Sequence, residues 1–251
     1  VNFAAQGEVR NSWKWPEQWY QTNCISVIRL AEHLKNKDYF KRYVAVSTPE
    51  VYGATTKNIK ENHNYYPSTP YAASKLAGEL HLLALYKHYN FPVIFTRSVN
   101  LYGIHQQLYR IIPRTIIYLK LRKTIDLHGQ GKAMREFIHA RDVADLTLRA
   151  ILNGKIGDIY HFSPNDGLRS IADVVRLVCD LMNCKFDESV NLMNENFGQD
   201  SVYSLDASKA KSEFRWEQQV SFKDGIRETI KWIDANWEFI KNQPLEYIHK
   251  N

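Results

Sequence analysis

The sequence predicts an α/β fold, in which a parallel β-sheet has helices packed on both of its faces. Three short apolar runs, rich in β-branched and aromatic residues, lie at 43–47, 91–96 and 157–162. Continuous apolar runs of this length are typical of strands that are buried on both faces of a sheet. Amphipathic helical patterns at 22–34 and 74–89 alternate with these runs. Such alternation favours crossover connections between parallel strands.

The helices are predicted from apolar residues that recur every three or four positions. In the second helix these residues are Leu76, Leu80, Leu83 and Tyr86. After residue 100 helical patterns dominate, and they cover 113–121, 141–152, 170–182 and 222–240. We therefore expect a sheet-rich part followed by a smaller, mostly helical part.

The composition is that of a globular chain, since 251 residues with 44% hydrophobic and 24% charged side chains suffice for a sizeable core. No apolar run approaches the ~20 residues that cross a bilayer, which argues against a membrane partner. Cys24, Cys179 and Cys184 are too few for a disulfide framework and favour the reducing cytoplasm. The net charge of +6 is not clustered, so a phosphate-bearing small molecule explains it as well as a nucleic acid does.

The sharpest local signal is Tyr71 followed four residues later by Lys75, near the start of a predicted helix. Residues four apart lie on the same helix face, about one turn from each other. A cation beside a phenol favours the phenolate and lowers the tyrosine pKa towards the range of a general base. By itself the pair also fits an exposed aromatic–cation contact without catalysis.

Two polar clusters follow predicted strands and strengthen the catalytic interpretation. Thr48 and Glu50 come directly after the strand at 43–47, and the run 97–103 with Asn100 follows the strand at 91–96. In open α/β sheets, ligands bind at the carboxyl ends of the strands. The three clusters together therefore predict an active site.

At this point the sequence resembles the extended short-chain dehydrogenase/reductases that act on nucleotide sugars, most closely the dTDP-glucose 4,6-dehydratases. The resemblance runs through nearly the whole chain. It is strongest at S-T-P-E-V-Y-G (47–53), P-Y-A-A-S-K (70–75), R-S-V-N-L-Y-G (97–103) and the segment 129–144. It implies an NAD-dependent lyase, a cytoplasmic homodimer, that converts a nucleoside-diphosphate hexose into a 4-keto-6-deoxy sugar.

The resemblance also implies roles for particular residues. Tyr71, activated by Lys75, takes the proton of the sugar 4-hydroxyl, Thr48 positions that oxygen, and Glu50 removes the C5 proton. Cofactor contacts are expected from Ala4, Ala5, Tyr71, Lys75 and Ser98. Substrate contacts are expected from Thr48, Glu50, Asn100, Arg110, His128 and Arg135. No metal site is predicted, because the histidines have no metal-ligand spacing.

Three positions depart from the family pattern. Pro49 stands where the family has the aspartate that protonates the departing C6 hydroxyl, so Glu50 is expected to serve as base and then as acid. Asn196 replaces an arginine that commonly binds the diphosphate, and Gln6 replaces a glutamate that contacts the sugar.

The family's glycine-rich NAD loop does not occur in this sequence, and the chain begins without Met. We therefore expect a Rossmann-like doubly wound sheet whose first βαβ unit is absent from this chain, with a smaller, mostly helical C-terminal substrate domain. Residues 1–103, joined by 138–165, are expected to bind NAD. Residues 104–137 and 166–251 are expected to bind the nucleotide sugar.

Two alternatives remain open from the sequence. A nucleotide-sugar 4-epimerase or a decarboxylase would share Tyr71, Lys75 and Thr48, but 4-epimerisation needs no C5 base and hence no Glu50. A non-catalytic binding protein could have retained the fold, although the four intact catalytic positions argue against lost catalysis.

Overall fold

The computed structural model describes residues 1–54, 58–194, 202 and 204–249. The helices are α1 (Val9–Ser12), α2 (Pro16–Tyr20), α3 (Ser26–Leu34), α4 (Pro70–Tyr89), α5 (Ile111–Lys120), α6 (Ala140–Asn153), α7 (Ile171–Leu181), α8 (Phe186–Ser189), α9 (Ser208–Phe214), α10 (Phe222–Ala235) and α11 (Trp237–Ile240). The strands are β1 (Tyr43–Ser47), β2 (Val93–Ser98), β3 (Asn100–Tyr102), β4 (Ile125–Leu127), β5 (Met134–Arg135), β6 (Phe137–His139), β7 (Ile159–Phe162), β8 (Arg169–Ser170) and β9 (Val190–Leu192). Among these described residues, no helix combines the length and the apolar character needed to cross a membrane.

The chain folds as two compact units. The first comprises Val1–Val99, Val143–Ser163 and Tyr203–Glu217, and the second comprises Asn100–Asp142, Pro164–Val202 and Gln218–Asn251. Residues 204–217 belong to the first unit. They join it because Leu205 pairs with Ile59 and because the ring of Phe214 on α9 lies 4.6 Å from the ring of Tyr160 on β7.

The first unit is built on a parallel sheet with the strand order β1–β2–β7, which confirms the predicted α/β class. The register of the first two strands runs from Tyr43↔Val93 to Ser47↔Arg97. On the other edge of β1, Asn2 forms a parallel bridge to Ala45. Because the strands are parallel, the residues that follow β1 and β2 emerge at the same edge of the sheet.

The first long helical segment begins earlier than predicted. Its first turn is α2, with Pro16 at the first helical position, where a missing N–H costs nothing. The segment then passes through a π-helical turn, Gln21–Ile25, into α3. Gly78 of α4 packs against this turn so closely that a Cβ at this position would lie 2.4 Å from the carbonyl oxygen of Asn23.

The second unit has its apolar core between α5, α7 and α10, with residues such as Ile116, Val178 and Ile226 fully buried. The helix predicted over 222–240 is divided, because α10 ends at Ala235 and α11 begins at Trp237. The side-chain amide of Asn236 donates to the carbonyl oxygen of Trp232 at 2.8 Å. An asparagine that bonds locally to the backbone in this way competes with continued helix.

Candidate active site

Helix α4 begins at a strong capping signal that places Tyr71 in its first turn. The hydroxyl of Thr69 accepts the backbone N–H of Ala72 at 3.1 Å, and Pro70 occupies the first helical position. The backbone N–H of Tyr71 itself donates to the hydroxyl of Ser12 at 3.2 Å. These contacts hold the phenol-bearing turn in a defined place while leaving its side chain half-buried.

Lys75 joins α4 to the carboxyl end of β1. Its ammonium group donates to the carbonyl oxygen of Val46 at 2.8 Å. Burial lowers the pKa of Lys75, and the carboxylate of Glu79 on the same helix opposes this effect. The cation of the Tyr71–Lys75 pair is thus held at the edge of the sheet where the sequence places the site.

Thr48 follows β1 and caps a 3₁₀ turn, Pro49–Tyr52, that contains Glu50. The hydroxyl of Thr48 accepts the backbone N–H of Glu50 at 3.3 Å, and Thr48 is only 5% exposed. Since that bond uses the oxygen as acceptor, the hydroxyl proton stays available as a donor. Pro49 suits the first position of the turn, and Glu50 is partly exposed.

The predicted cofactor contacts of the first unit lie at the same sheet edge. Ser98 is the last residue of β2 and is half-buried. Ala4 and Ala5 follow the Asn2 bridge and are exposed. The first unit therefore brings together Thr48, Glu50, Lys75 and Ser98 through the parallel register of β1 and β2.

The predicted substrate residues of the second unit occupy separate elements. Asn100 begins β3 and is half-buried, Arg110 precedes α5 and is exposed, and His128 is exposed at the 3₁₀ turn His128–Gly131. Arg135, on β5, is only 7% exposed. The departure noted at Asn196 lies outside the described residues.

Arg169 is a residue that the sequence did not single out. It stands directly opposite Arg135 in the antiparallel pair β5–β8, and its guanidinium carbon lies 4.9 Å from the centre of the Phe222 ring. Facing residues of an antiparallel pair share one face of the sheet, where like charges are unfavourable. A two-residue strand leaves no periodic pattern, so no sequence signal could have revealed this pairing.

The structure also reveals the partners of two buried polar residues, Asn23 and Arg97. The amide of Asn23 bonds to the backbone of Gln6 at 2.8 and 3.0 Å and to the hydroxyl of Ser74 at 3.0 Å. Arg97 is completely buried and forms an ion pair with Glu79 at 2.5 Å. The polar character of these residues in buried positions was the only available signal, and it does not specify the partners.

Within the described part of the chain, no group of three or more His, Cys, Asp or Glu side chains is arranged to hold a metal ion.

Comparison with known proteins identifies relatives along most of the chain. The family model described as GDP-mannose 4,6 dehydratase matches residues 1–229. The trifunctional UDP-glucose 4,6-dehydratase/UDP-4-keto-6-deoxy-D-glucose 3,5-epimerase/UDP-4-keto-L-rhamnose-reductase of Arabidopsis thaliana is 30% identical over 243 residues, which cover 95% of this chain and 36% of that protein. The dTDP-glucose 4,6-dehydratase of Haemophilus influenzae is 29% identical over 257 residues, which cover 94% of this chain and 76% of that protein.

A solved structure has the same fold. The dTDP-glucose 4,6-dehydratase from Streptomyces venezuelae, crystallised with NAD and TYD bound, superposes with a TM-score of 0.88 at 30% identity. The match covers 94% of this chain and 73% of that chain. The chain thus spans about a third of the plant protein's length and about three quarters of the length of these bacterial enzymes.

Proposed function

Because the chain belongs to the GDP-mannose 4,6 dehydratase family, we propose that it dehydrates a nucleoside-diphosphate hexose to a 4-keto-6-deoxy sugar in an NAD-dependent reaction. The observation that carries the proposal is the turn after β1. It presents Thr48 and Glu50 at the strand end to which Lys75 is anchored.

The residues of the first unit fit NAD as a cofactor. In the described part of the chain, the ammonium of Lys75 has one hydrogen bond, to Val46, so two of its N–H groups are left to donate to ligand oxygens. The exposed small side chains of Ala4 and Ala5 leave space for a flat ring, and the hydroxyl of Ser98 lies at the adjacent strand end. When bound, NAD supplies a hydride acceptor and donor.

The first proposed step takes place at the sugar 4-hydroxyl. The phenolate of Tyr71, stabilised by the Lys75 cation, accepts the proton of that hydroxyl. The hydroxyl of Thr48, which still has its proton to donate, holds the same oxygen in place. Oxidation at C4 then acidifies the proton on the neighbouring C5.

The second proposed step uses Glu50 twice. Its carboxylate removes the C5 proton, and the resulting carboxylic acid returns a proton to the hydroxyl that leaves from C6 as water. One proton is taken and one is delivered, so the elimination of water balances without a second acid. This double role is required because Pro49, next to Glu50, has no proton to give. The hydride removed from C4 is then returned to C6 and a proton from solvent is added at C5, which gives the 4-keto-6-deoxy product.

For the substrate, we propose that Arg135 and Arg169 bind the diphosphate together. Their opposite positions in the β5–β8 pair place two guanidinium groups on one face of the sheet, where both can donate to one anion. Planar guanidinium groups are well suited to phosphate oxygens. Asn100, Arg110 and His128 are proposed as further contacts of the sugar nucleotide.

We expect Arg169→Gln to weaken the binding of dTDP alone by about tenfold, since one charge-assisted bond is lost. Isothermal titration calorimetry of the full-length protein measures this. The matched control is Arg176→Gln, an exposed arginine stacked on Phe186 in the same unit, which should leave the affinity unchanged. Equal affinities for Arg169→Gln and the parent protein would remove Arg169 from the site.

The activity itself is tested by incubating the full-length protein with dTDP-glucose and NAD+, then identifying the product by mass spectrometry and NMR. A 4-keto-6-deoxy sugar supports the proposal. Repeating the assay with UDP-, GDP- and CDP-linked hexoses identifies the nucleotide.

A 4-epimerase or decarboxylase is the second candidate, and Pro49 is the observation that favours it, because the family's separate acid is missing at this position. A 4-epimerase would return a sugar nucleotide that keeps its C6 oxygen. A decarboxylase would release CO₂ from a nucleoside-diphosphate hexuronate, so that substrate is included in the assay. Either product in the same assay would replace the dehydratase proposal.

We further propose a homodimer in which α3 and α4 of two copies pack as a four-helix bundle. Leu30 on α3 and Leu80 on α4 are 40% and 47% exposed, which suits a helical surface that another chain covers. Leu80→Glu should convert the dimer to a monomer in light scattering at micromolar concentration. Leu152→Glu, at an exposed position of α6, should not, and a monomeric parent protein would refute the proposal.

We also place the protein in the cytoplasm. The thiols of Cys24, Cys179 and Cys184 are all free, and burial raises the pKa of Cys24 and that of Cys179, the latter to about 11. Unpaired thiols suit a reducing compartment.

A further inference from the structure

A buried arginine ties together segments that carry the proposed catalytic residues. Arg97, the next-to-last residue of β2, has no exposed surface. Its Nη2 lies 2.5 Å from Oε2 of Glu79 on α4, and its Nη1 donates to the phenol oxygen of Tyr52. Glu79 lies one helical turn after Lys75, and Tyr52 ends the turn that contains Glu50. One guanidinium therefore connects the Glu50 turn to the helix that bears the proposed base.

Two aromatic rings fix the plane of this guanidinium. The Arg97 carbon Cζ lies 4.7 Å from the ring centre of Tyr52 and 5.2 Å from that of Tyr65. Nη2 also donates to the hydroxyl of Tyr65 at 3.2 Å. Planar cations stack on aromatic faces in this way, whereas an ammonium group cannot form the same set of contacts.

The donors and acceptors of the hydrogen bonds that link Arg97, Tyr52 and His161 follow from the partner of His161. Nδ1 of His161 lies 3.1 Å from the carbonyl oxygen of Ile59, and because a carbonyl only accepts, Nδ1 carries the proton. Nε2 then accepts the Tyr52 hydroxyl at 2.8 Å, which leaves the phenol oxygen to accept from Arg97. Burial and the nearby Arg97 cation lower the pKa of His161 to about 3, so the ring stays neutral. The contacts Arg97–Tyr52, Tyr52–His161 and His161–Ile59 thus each have one donor and one acceptor.

Arg97 is also the counter-ion of Glu79. Glu79 is buried, its Oε1 has no hydrogen-bond partner among the described residues, and in the same part of the chain Arg97 is its ion-pair partner. Glu79 and Lys75 line one small cavity, and Glu79 favours the protonated form of Lys75. An unneutralised carboxylate at this position would act directly on the Tyr71–Lys75 pair.

We propose that Arg97 is a positioning residue for the proposed reaction, which holds the Glu50 turn against α4 and cancels the charge of Glu79 beside the Tyr71–Lys75 pair. The kinetic part of this proposal rests on the proposed function. The titratable groups that line the same cavity as Lys75 are Glu79 on its own helix and Tyr43 on β1, while Asn2 and Asn23 contribute neutral groups. Tyr71 lies one helical turn before Lys75 on α4.

The proposal predicts shifts of opposite sign for two substitutions. In the proposed mechanism the Tyr71–Lys75 pair must lose one proton before it can act as the base, so activity rises with pH along the acidic limb. Glu79→Gln removes the carboxylate that pairs with Arg97. The remaining positive charge of Arg97 makes the Tyr71–Lys75 pair lose its proton more easily, so the acidic limb of the pH–rate profile moves to lower pH. Arg97→Met removes the cation that pairs with Glu79 and leaves this carboxylate to favour the protonated form of Lys75, so the limb moves to higher pH. Each shift is expected to be on the order of one pH unit.

The experiment measures kcat/KM against pH for the full-length protein and for both variants. A second readout, independent of activity, is the ¹³Cε NMR titration of Lys75 in protein labelled at lysine, assigned with Lys75→Met. The double variant Arg97→Met/Glu79→Gln removes both charges, and we expect its profile and its Lys75 titration to return close to those of the parent protein. Because both partners are replaced, this variant also avoids leaving one buried charge unpaired.

A structural role alone would lower activity in all variants without opposite shifts. The proposal is overturned if Glu79→Gln leaves the Lys75 titration where it is or moves it upward, or if Arg97→Met moves it downward. These outcomes are independent of the proposed dehydration, since the Lys75 titration is observed without any substrate. A protein inactive on every sugar nucleotide but with opposite Lys75 shifts would thus refute the proposed function and leave the positioning role supported.

Discussion

Replacing Tyr71 with Phe is expected to lower kcat for the sugar nucleotide by about 10³-fold, because the substitution removes the oxygen that accepts the substrate proton. The fold should not change. The backbone contact of Tyr71 to Ser12 and the Thr69 cap of α4 do not involve the phenol oxygen. Steady-state kinetics measures the loss, and thermal unfolding shows whether the fold is intact.

Tyr89→Phe provides the matched control, since Tyr89 lies on the same helix and is 66% exposed. It should leave kcat within a factor of two of the parent value, which would show that loss of a phenol on α4 has no general effect. A Tyr71→Phe protein that keeps full activity would require a different base. One that keeps its full biological effect would favour the non-catalytic binding protein.

Replacing Glu50 with Gln is expected to lower the formation of the 4-keto-6-deoxy product by about 10²- to 10⁴-fold. The amide keeps the shape of the side chain, and the backbone N–H of residue 50 can still donate to the hydroxyl of Thr48. The turn should therefore persist. The amide cannot, however, take the C5 proton or deliver a proton to the leaving hydroxyl. NMR in D₂O measures both product formation and deuterium incorporation at C5, and both should be lost while KM changes little.

Glu17→Gln, at an exposed position of α2, is the matched control and should behave as the parent protein. If Glu50→Gln still incorporates deuterium at C5, another group is the base. If the parent protein interconverts C4 epimers and Glu50→Gln does so equally well, the enzyme is a 4-epimerase, because that reaction needs no C5 base.

The sequence alone was sufficient to predict a strand whose consecutive residues are all apolar. The apolar run at 43–47 coincides with β1, because a strand buried on both faces needs apolar residues at consecutive positions. The break between α10 and α11 was not predicted. The apolar spacing continues through Trp237, but the backbone of Asn236 leaves the helical conformation and its amide bonds to the Trp232 carbonyl.

The sequence also determined part of the candidate site. Spacing along one helix determined that Tyr71 and Lys75 share a face, and position after an apolar run determined that Thr48 and Glu50 follow a strand. Local geometry decides both, so both are contained in the sequence. Their assignment as catalytic residues remains a prediction that the substitutions above test.

Tertiary structure alone decided which partners surround those residues. The anchor of Lys75 on Val46, the pairing of Arg97 with Glu79 and the opposition of Arg135 and Arg169 join residues far apart in the chain. The sequence shows that a charged residue, Arg97, lies in an apolar strand. Because an unpaired buried charge is costly, such a residue must have a partner. Which carboxylate or carbonyl meets it depends on the register of strands and the packing of helices, and these are set by the folded chain as a whole.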